Sequence, residues 1–184
     1  MVIIDAHSGW INGVRRMESP NRDERPAGCE PELIVIHGIS LPPGEFGGSC
    51  IDRLFANALP ADEHPYFAEI CGLRVSAHVL IDRDGLLTQY VPFGERAWHA
   101  GQSSYCGREA CNDYSVGIEL EGTDELPYTA AQYRRLAELV TALRSSYPSL
   151  REAEVVGHSD IAPGRKTDPG PAFDWQRFSR LVEV

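Results

Sequence analysis

The sequence predicts an α/β fold: a single domain with a mixed central β-sheet flanked by helices. Three observations lead there. Strand-like and helix-like segments alternate along the chain, the pattern of a sheet with helices packed on it. The segment "ELIVIHG" is apolar on both faces, which marks a strand in the middle of a sheet. Residues 130–146 carry an apolar stripe at helical spacing. The 184 residues suffice for one domain with a sizeable core, and the prediction is a single domain over 1–184.

The elements follow in order. Residues 1–32, with the run "MESPNRDERPAGCEPE", are rich in Pro, Arg, Asn and Asp and predict a mostly irregular lead-in that wraps the core. In "ELIVIHG", Leu33, Val35 and His37 share one strand face and Ile34 and Ile36 the other, with His37 at the carboxyl end. "SLPPGEFGGS" is a loop, and residues 50–59 suit a short helix. "RVSAHVLIDRDGLLTQYV" predicts two strands joined at Asp84-Gly85, a hairpin signal. A loop with "RAWHAGQSSY" precedes the strand "YSVGIELEG", where Val116, Ile118 and Leu120 face one way and Gly117, Glu119 and Glu121 the other. The helix over 130–146 opens on a capping box, Thr129 with Gln132, and buries Tyr133, Leu136, Ala137, Val140 and Leu143. "AEVVGH" is a last short strand. "GHSDIAPGRKTDPGP" is a stiff loop, kept out of helices by its prolines and glycines. "DWQRFSRLVEV" is a terminal helix.

Composition narrows the partners. A formal net charge of -10 disfavours nucleic acid and anionic membranes. No apolar run reaches the length of a membrane span, and "MVIIDAHSGW" does not read as a secretory leader. Five widely spaced cysteines point to free thiols in a reducing cytoplasm. No C-x-x-C pair offers a thiolate zinc site. No feature sets an oligomeric state, and a monomer is the default.

Ligand sites in such sheets gather where strands end. Of six histidines, His37 and His158 fall at predicted strand ends. His78 lies mid-strand and reads as a hydrogen-bonded core residue. His7 and His64 read as surface residues, and His99 either lines a cleft or packs. Two histidines and one carboxylate, with a fourth position open, make a catalytic zinc site. The carboxylate is either Asp160 or Asp168. Asp168 precedes Pro169, which restricts it to extended backbone, so Lys166 two residues earlier points to the same side. Spacing does not choose between the two acids, and no H-E-x-x-H helix supports them.

The blocks "IVIHGISLPPGEFGG", "LRVSAHVLIDRDG", "YVPFGERAWHAG", "CNDYSVGIELEGTD" and "GHSDIAPGRKTDPGPAFDW" carry a resemblance. They resemble, in family order and over nearly the whole chain, the type 2 N-acetylmuramoyl-L-alanine amidases. Within these, the chain is similar to the cytoplasmic enzymes that cleave 1,6-anhydro-muropeptides during peptidoglycan recycling. The resemblance implies the amidase, peptidoglycan-recognition-like fold. It implies zinc on His37, His158 and Asp168, with Asp160 as a neighbour. It also implies Glu119 as general base and Lys166 as the cation stabilising the transition state. Arg74 matches a residue that contacts the muropeptide, and Trp98 and His99 are assigned to substrate binding beside it. Gly38 stands where Asn is common among relatives, and Ala110 where Arg can stand. The alternatives are a family member acting on intact wall, and a domain that binds wall fragments without cutting. A third, a non-haem iron oxygenase using His158-x-Asp160, leaves Lys166, Asp168 and Glu119 without roles.

Overall fold

Six strands form the central sheet of the computed structural model, which describes residues 1–182. They are β1 (Arg15–Arg16), β2 (Leu33–Ile39), β3 (Val79–Ile81), β4 (Leu87–Gln89), β5 (Ser115–Glu121) and β6 (Glu154–Gly157). Their spatial order is β6-β2-β5-β3-β4-β1. Every neighbouring pair is parallel except the β3–β4 hairpin. The helices are α1 (Cys50–Phe55), α2 (Pro65–Ile70), α3 (Ala130–Ser146), α4 (His158–Ile161) and α5 (Trp175–Val182). The mixed α/β architecture is the one the sequence predicts.

The two faces of β2 and β5 separate as their alternation requires. Ile34, Ile36, Val116, Ile118 and Leu120 join Leu136, Leu139, Val140 and Leu143 of α3 in the main core. Burying each such side chain contributes about 1.5–3 kcal/mol, so packing outweighs any single cap in holding α3. Leu33 and Val35 face the other way, against Val156 and Ile161. Beside them, Leu41, Leu54 and Leu80 form a third cluster with α1.

Four differences from the sequence reading have physical causes. The lead-in contains short strands: Ile4–Asp5 pairs with Trp10–Ile11, Arg22–Glu24 with Glu95–Ala97, and β1 edges the main sheet. Buried Gln89 organises part of it, accepting from Ile11 N–H at 2.7 Å and donating to Gly9 O at 2.9 Å. Such short strands leave no periodicity to read. His78 sits just before β3 rather than within a strand. It is a hydrogen-bonded core residue, fully buried, with Nδ1 accepting from Gly117 N–H at 3.0 Å. Helix α2 was unanticipated, although Pro65 at its first position is a start signal. Finally, "GHSDIAPGRKTDPGP" is not wholly irregular. Its residues 158–161 make one helical turn, opened by Gly157 N–H donating to Asp160 Oδ2 at 2.7 Å. The predicted terminal helix runs to Val182, and residues 183 and 184 lie outside the described residues.

Candidate metal centre

Three adjacent parallel strands bring the chemistry together at their carboxyl ends. His37 is near the end of β2. Glu119 of β5 is its partner in register. His158 opens α4 directly after β6, which flanks β2 on its other side. The side chains of His37 and Glu119 lie on the sheet face opposite α3. Asp168 arrives from the strap after α4, whose return is tied by Ser159 N–H donating to Asp168 O at 3.0 Å.

His37, His158 and Asp168 converge as a group able to hold a metal ion. Their Nδ1 atoms are 2.9 Å apart, and Asp168 Oδ2 lies 3.1 Å from His158 Nδ1 and 3.4 Å from His37 Nδ1. Ligand bonds of about 2.0–2.2 Å in tetrahedral geometry put donor atoms about 3.4 Å apart. Two ring nitrogens and a carboxylate oxygen this close need a shared proton or a shared cation between them. The residues therefore fit a metal. Their protonation states fit as well. Burial pulls His37 down to about 4, so it is neutral near pH 7. Burial alone would raise the Asp168 carboxyl, but the His158 and His37 rings beside it hold it well below the usual carboxylate range. Asp160 is spent on Gly157 and is a neighbour of the cluster.

Glu119 is 8% exposed, and its Oε2 is buried without a hydrogen-bond partner. Burial, then the Asp168 charge, pushes its carboxyl well above the ordinary value, with Lys166 opposing. Glu121, two residues on, differs. Its carboxylate accepts from Gly47 N–H at 2.5 Å and from Arg83 N–H at 3.3 Å, clamping the 40–49 loop to the sheet. Glu119, Lys166 and the three metal-fitting residues all line one cavity of about 550 Å³, with Tyr66, Ile70 and Leu73 forming an apolar wall. The exposed Lys166 side chain has no ion pair or hydrogen bond among the described residues. A larger groove of about 700 Å³, between Met1–Ile4 and α3, holds no such cluster.

The remaining sequence candidates fall around this cavity. Arg74 is exposed and flanks the lining residues Leu73 and Val75. Trp98 turns its indole N–H to Asp23 Oδ1 at 3.1 Å. His99 lines the cavity, but its two ring nitrogens are engaged by His37 and Ser115. At Gly38 an added Cβ would meet the Tyr128 hydroxyl at 2.5 Å, so any side chain there displaces Tyr128. That hydroxyl donates to Pro169 O at 3.0 Å and steadies the Asp168 strap. Ala110 has φ of 58° and begins a 3₁₀ turn over Cys111–Asp113. The sequence reading missed Ser115, Tyr128 and Tyr66. None of the three had a local signal of its own; Gly117, in a strand interior, marks only the close approach of the His99 ring.

The sequence pattern of the N-acetylmuramoyl-L-alanine amidase family matches residues 27–171. The chain is 61% identical over 174 residues to the 1,6-anhydro-N-acetylmuramyl-L-alanine amidase AmpD of Escherichia coli, covering 95% of this chain and 94% of that one. It is 52% identical over 181 residues to the protein of the same name from Haemophilus influenzae, covering 98% of each. A crystal structure of a selenomethionine AmpD derivative superposes with a TM-score of 0.94 at 58% identity, covering 98% of this chain and 99% of that one. The amidase AmiD of E. coli, in complex with anhydro-N-acetylmuramic acid-L-Ala-D-γ-Glu-L-Lys, superposes with a TM-score of 0.58 at 27% identity, covering 98% of this chain and 65% of that one. By sequence pattern, relatives and fold, the chain belongs to the N-acetylmuramoyl-L-alanine amidase family.

Proposed function

We propose that the chain is a zinc-dependent amidase acting on 1,6-anhydromuropeptides. The bond broken is the amide between the lactyl group of the anhydro sugar and L-alanine. The observation that carries this reading is the His37–His158–Asp168 cluster facing the unpaired Glu119 carboxylate across one register pair. The activity for which the high-identity relatives are named supports the substrate.

His37, His158 and Asp168 would hold the zinc. When bound, zinc supplies a Lewis acid for the amide carbonyl and lowers the pKa of a water to about 7. Glu119, across the register from His37, takes the proton of the attacking water and passes one to the leaving amine. Its raised affinity for protons suits that task. Lys166 turns its ammonium toward the charge that develops on the carbonyl oxygen. We also assign the chain to the cytoplasm, in keeping with five free cysteines.

The test is cleavage of an anhydromuramyl tripeptide by the zinc-loaded chain, beside the same peptide on ordinary muramic acid. Release of the intact peptide, faster from the anhydro sugar, is the expected outcome. Equal rates point instead to a family member that acts on ordinary wall peptides. Binding without product makes the chain a wall-fragment receptor and overturns the reading.

A further inference from the structure

We infer that His99 is a positioning residue that fixes, through a directed chain of hydrogen bonds, which ring nitrogen of His37 faces the metal. The inference rests on the metal reading proposed above. The Cys111 carbonyl can only accept, and Ser115 Oγ lies 2.5 Å from it. A hydroxyl has one hydrogen, which this contact uses. Ser115 Oγ therefore presents lone pairs to His99 Nε2 at 3.1 Å, and Nε2 must carry the hydrogen. A neutral imidazole has one N–H, so His99 Nδ1 is bare. It faces His37 Nε2 at 2.9 Å and accepts from it. His37, with its hydrogen on Nε2, has a bare Nδ1, and that atom points at His158 and Asp168.

The chain is built to hold one direction. Ser115 is fully buried, His37 2% exposed and His99 9% exposed, so water does not compete for these atoms. The ring nitrogens of His99 meet a ring nitrogen and a hydroxyl, not a carboxylate that would favour a charged imidazole. The His99 ring lies on the bare backbone of Gly117, where an added Cβ would come within 2.4 Å of it. Asn112 Oδ1 accepts from the backbone N–H groups of both His99 and Ala100, at 3.0 and 2.8 Å. The Ala100 carbonyl in turn lies 3.4 Å from His158 Nε2. Consecutive residues thus orient both imidazoles of the cluster. A ligand histidine without such a partner samples the tautomer whose Nδ1–H cannot bind metal.

The test uses the zinc-loaded full chain. Long-range ¹H–¹⁵N spectra should show His99 protonated at Nε2 and bare at Nδ1, with His37 protonated at Nε2. His99→Phe keeps the ring shape without the acceptor and should weaken zinc binding roughly 10–100-fold in a chelator competition. His99→Asn places an amide oxygen near the lost Nδ1 and should restore affinity to within a few fold. Ser115→Ala removes the anchor of the chain and should let His99 populate both tautomers. His99 protonated at Nδ1 in the zinc-loaded wild type overturns the inference alone. So does a folded His99→Phe that holds zinc like wild type. If His99→Phe does not fold, the wild-type spectrum and Ser115→Ala decide. A wild-type chain that takes up no zinc overturns the metal reading, and this inference with it.

Discussion

Glu119 and Glu121 lie on the same face of β5, yet only Glu121 has its carboxylate hydrogen-bonded. The two should therefore fail differently. Glu119→Gln is expected to retain zinc and lose about 10²–10⁴ in kcat, the range for one acid–base group. Glu121→Gln should instead loosen the 40–49 loop, cost about 1–3 kcal/mol of stability and raise KM more than it lowers kcat. Kinetics with zinc stoichiometry and urea titration separate them, and swapped outcomes would reverse the assignment. Lys166→Ala should lose about 10²–10³ in kcat. Because Lys166 opposes the rise in the Glu119 pKa, its loss should also move the acid limb of kcat/KM to higher pH. An unmoved limb would take Lys166 out of the site's electrostatics. Asp168→Ala should lose both zinc and turnover; Asp160→Asn should keep the metal. The choice between these acids was not legible from spacing. It depends on the chain folding back after α4, which no local pattern encodes, and only family resemblance pointed to Asp168. His37 and His158 were legible as candidates because one lies near the carboxyl end of β2 and the other directly follows β6.

At the scale of elements, α3 was readable because its length lets both the apolar stripe and the cap register. Thr129 Oγ1 accepts from Gln132 N–H at 3.1 Å and donates to Arg83 O at 2.8 Å. The cap thus also ties the helix to the β3–β4 turn. Thr129→Ala should cost about 1–2 kcal/mol in urea unfolding, the upper part of the range for such caps. A loss within a few tenths would mean that water replaces both bonds. Helices α2 and α4 escaped the reading because a turn or two is too short for a periodic signal. For α4 the deciding contact is one Asp160 side chain on one backbone N–H.

The whole molecule carries an acid sensitivity from its buried imidazoles. Burial, then the Arg25 charge, pulls His78 down to about 3 from 6.5. Between those values the unfolded chain binds a proton that the folded chain does not, so stability falls as pH falls. The contribution of His78 is about 1.4 kcal/mol per pH unit over most of that window. Urea midpoints of the metal-free chain should drop from pH 6.5 downward, and His78→Asn should flatten the fall. An unchanged slope would remove His78 from the account. The fold itself was legible because β2 is apolar on both faces up to His37, a pattern that marks a central position. The N-terminal strands were not: each is two or three residues long, and Arg15–Arg16 and Arg22–Glu24 find their partners far along the chain.

The pairing of β2 with β5 runs over seven residues in a single register, with Glu119 beside His37. A slip of one residue would turn Glu119 toward α3 and Ile118 toward the cavity. Lodging that carboxylate among Leu136, Leu139 and Val140 without a partner is costly, so the misaligned sheet opposes its own formation. The acid proposed to drive turnover would thereby also proofread the fold. In a refolding experiment, specific activity should count correctly aligned chains more faithfully than helix content does.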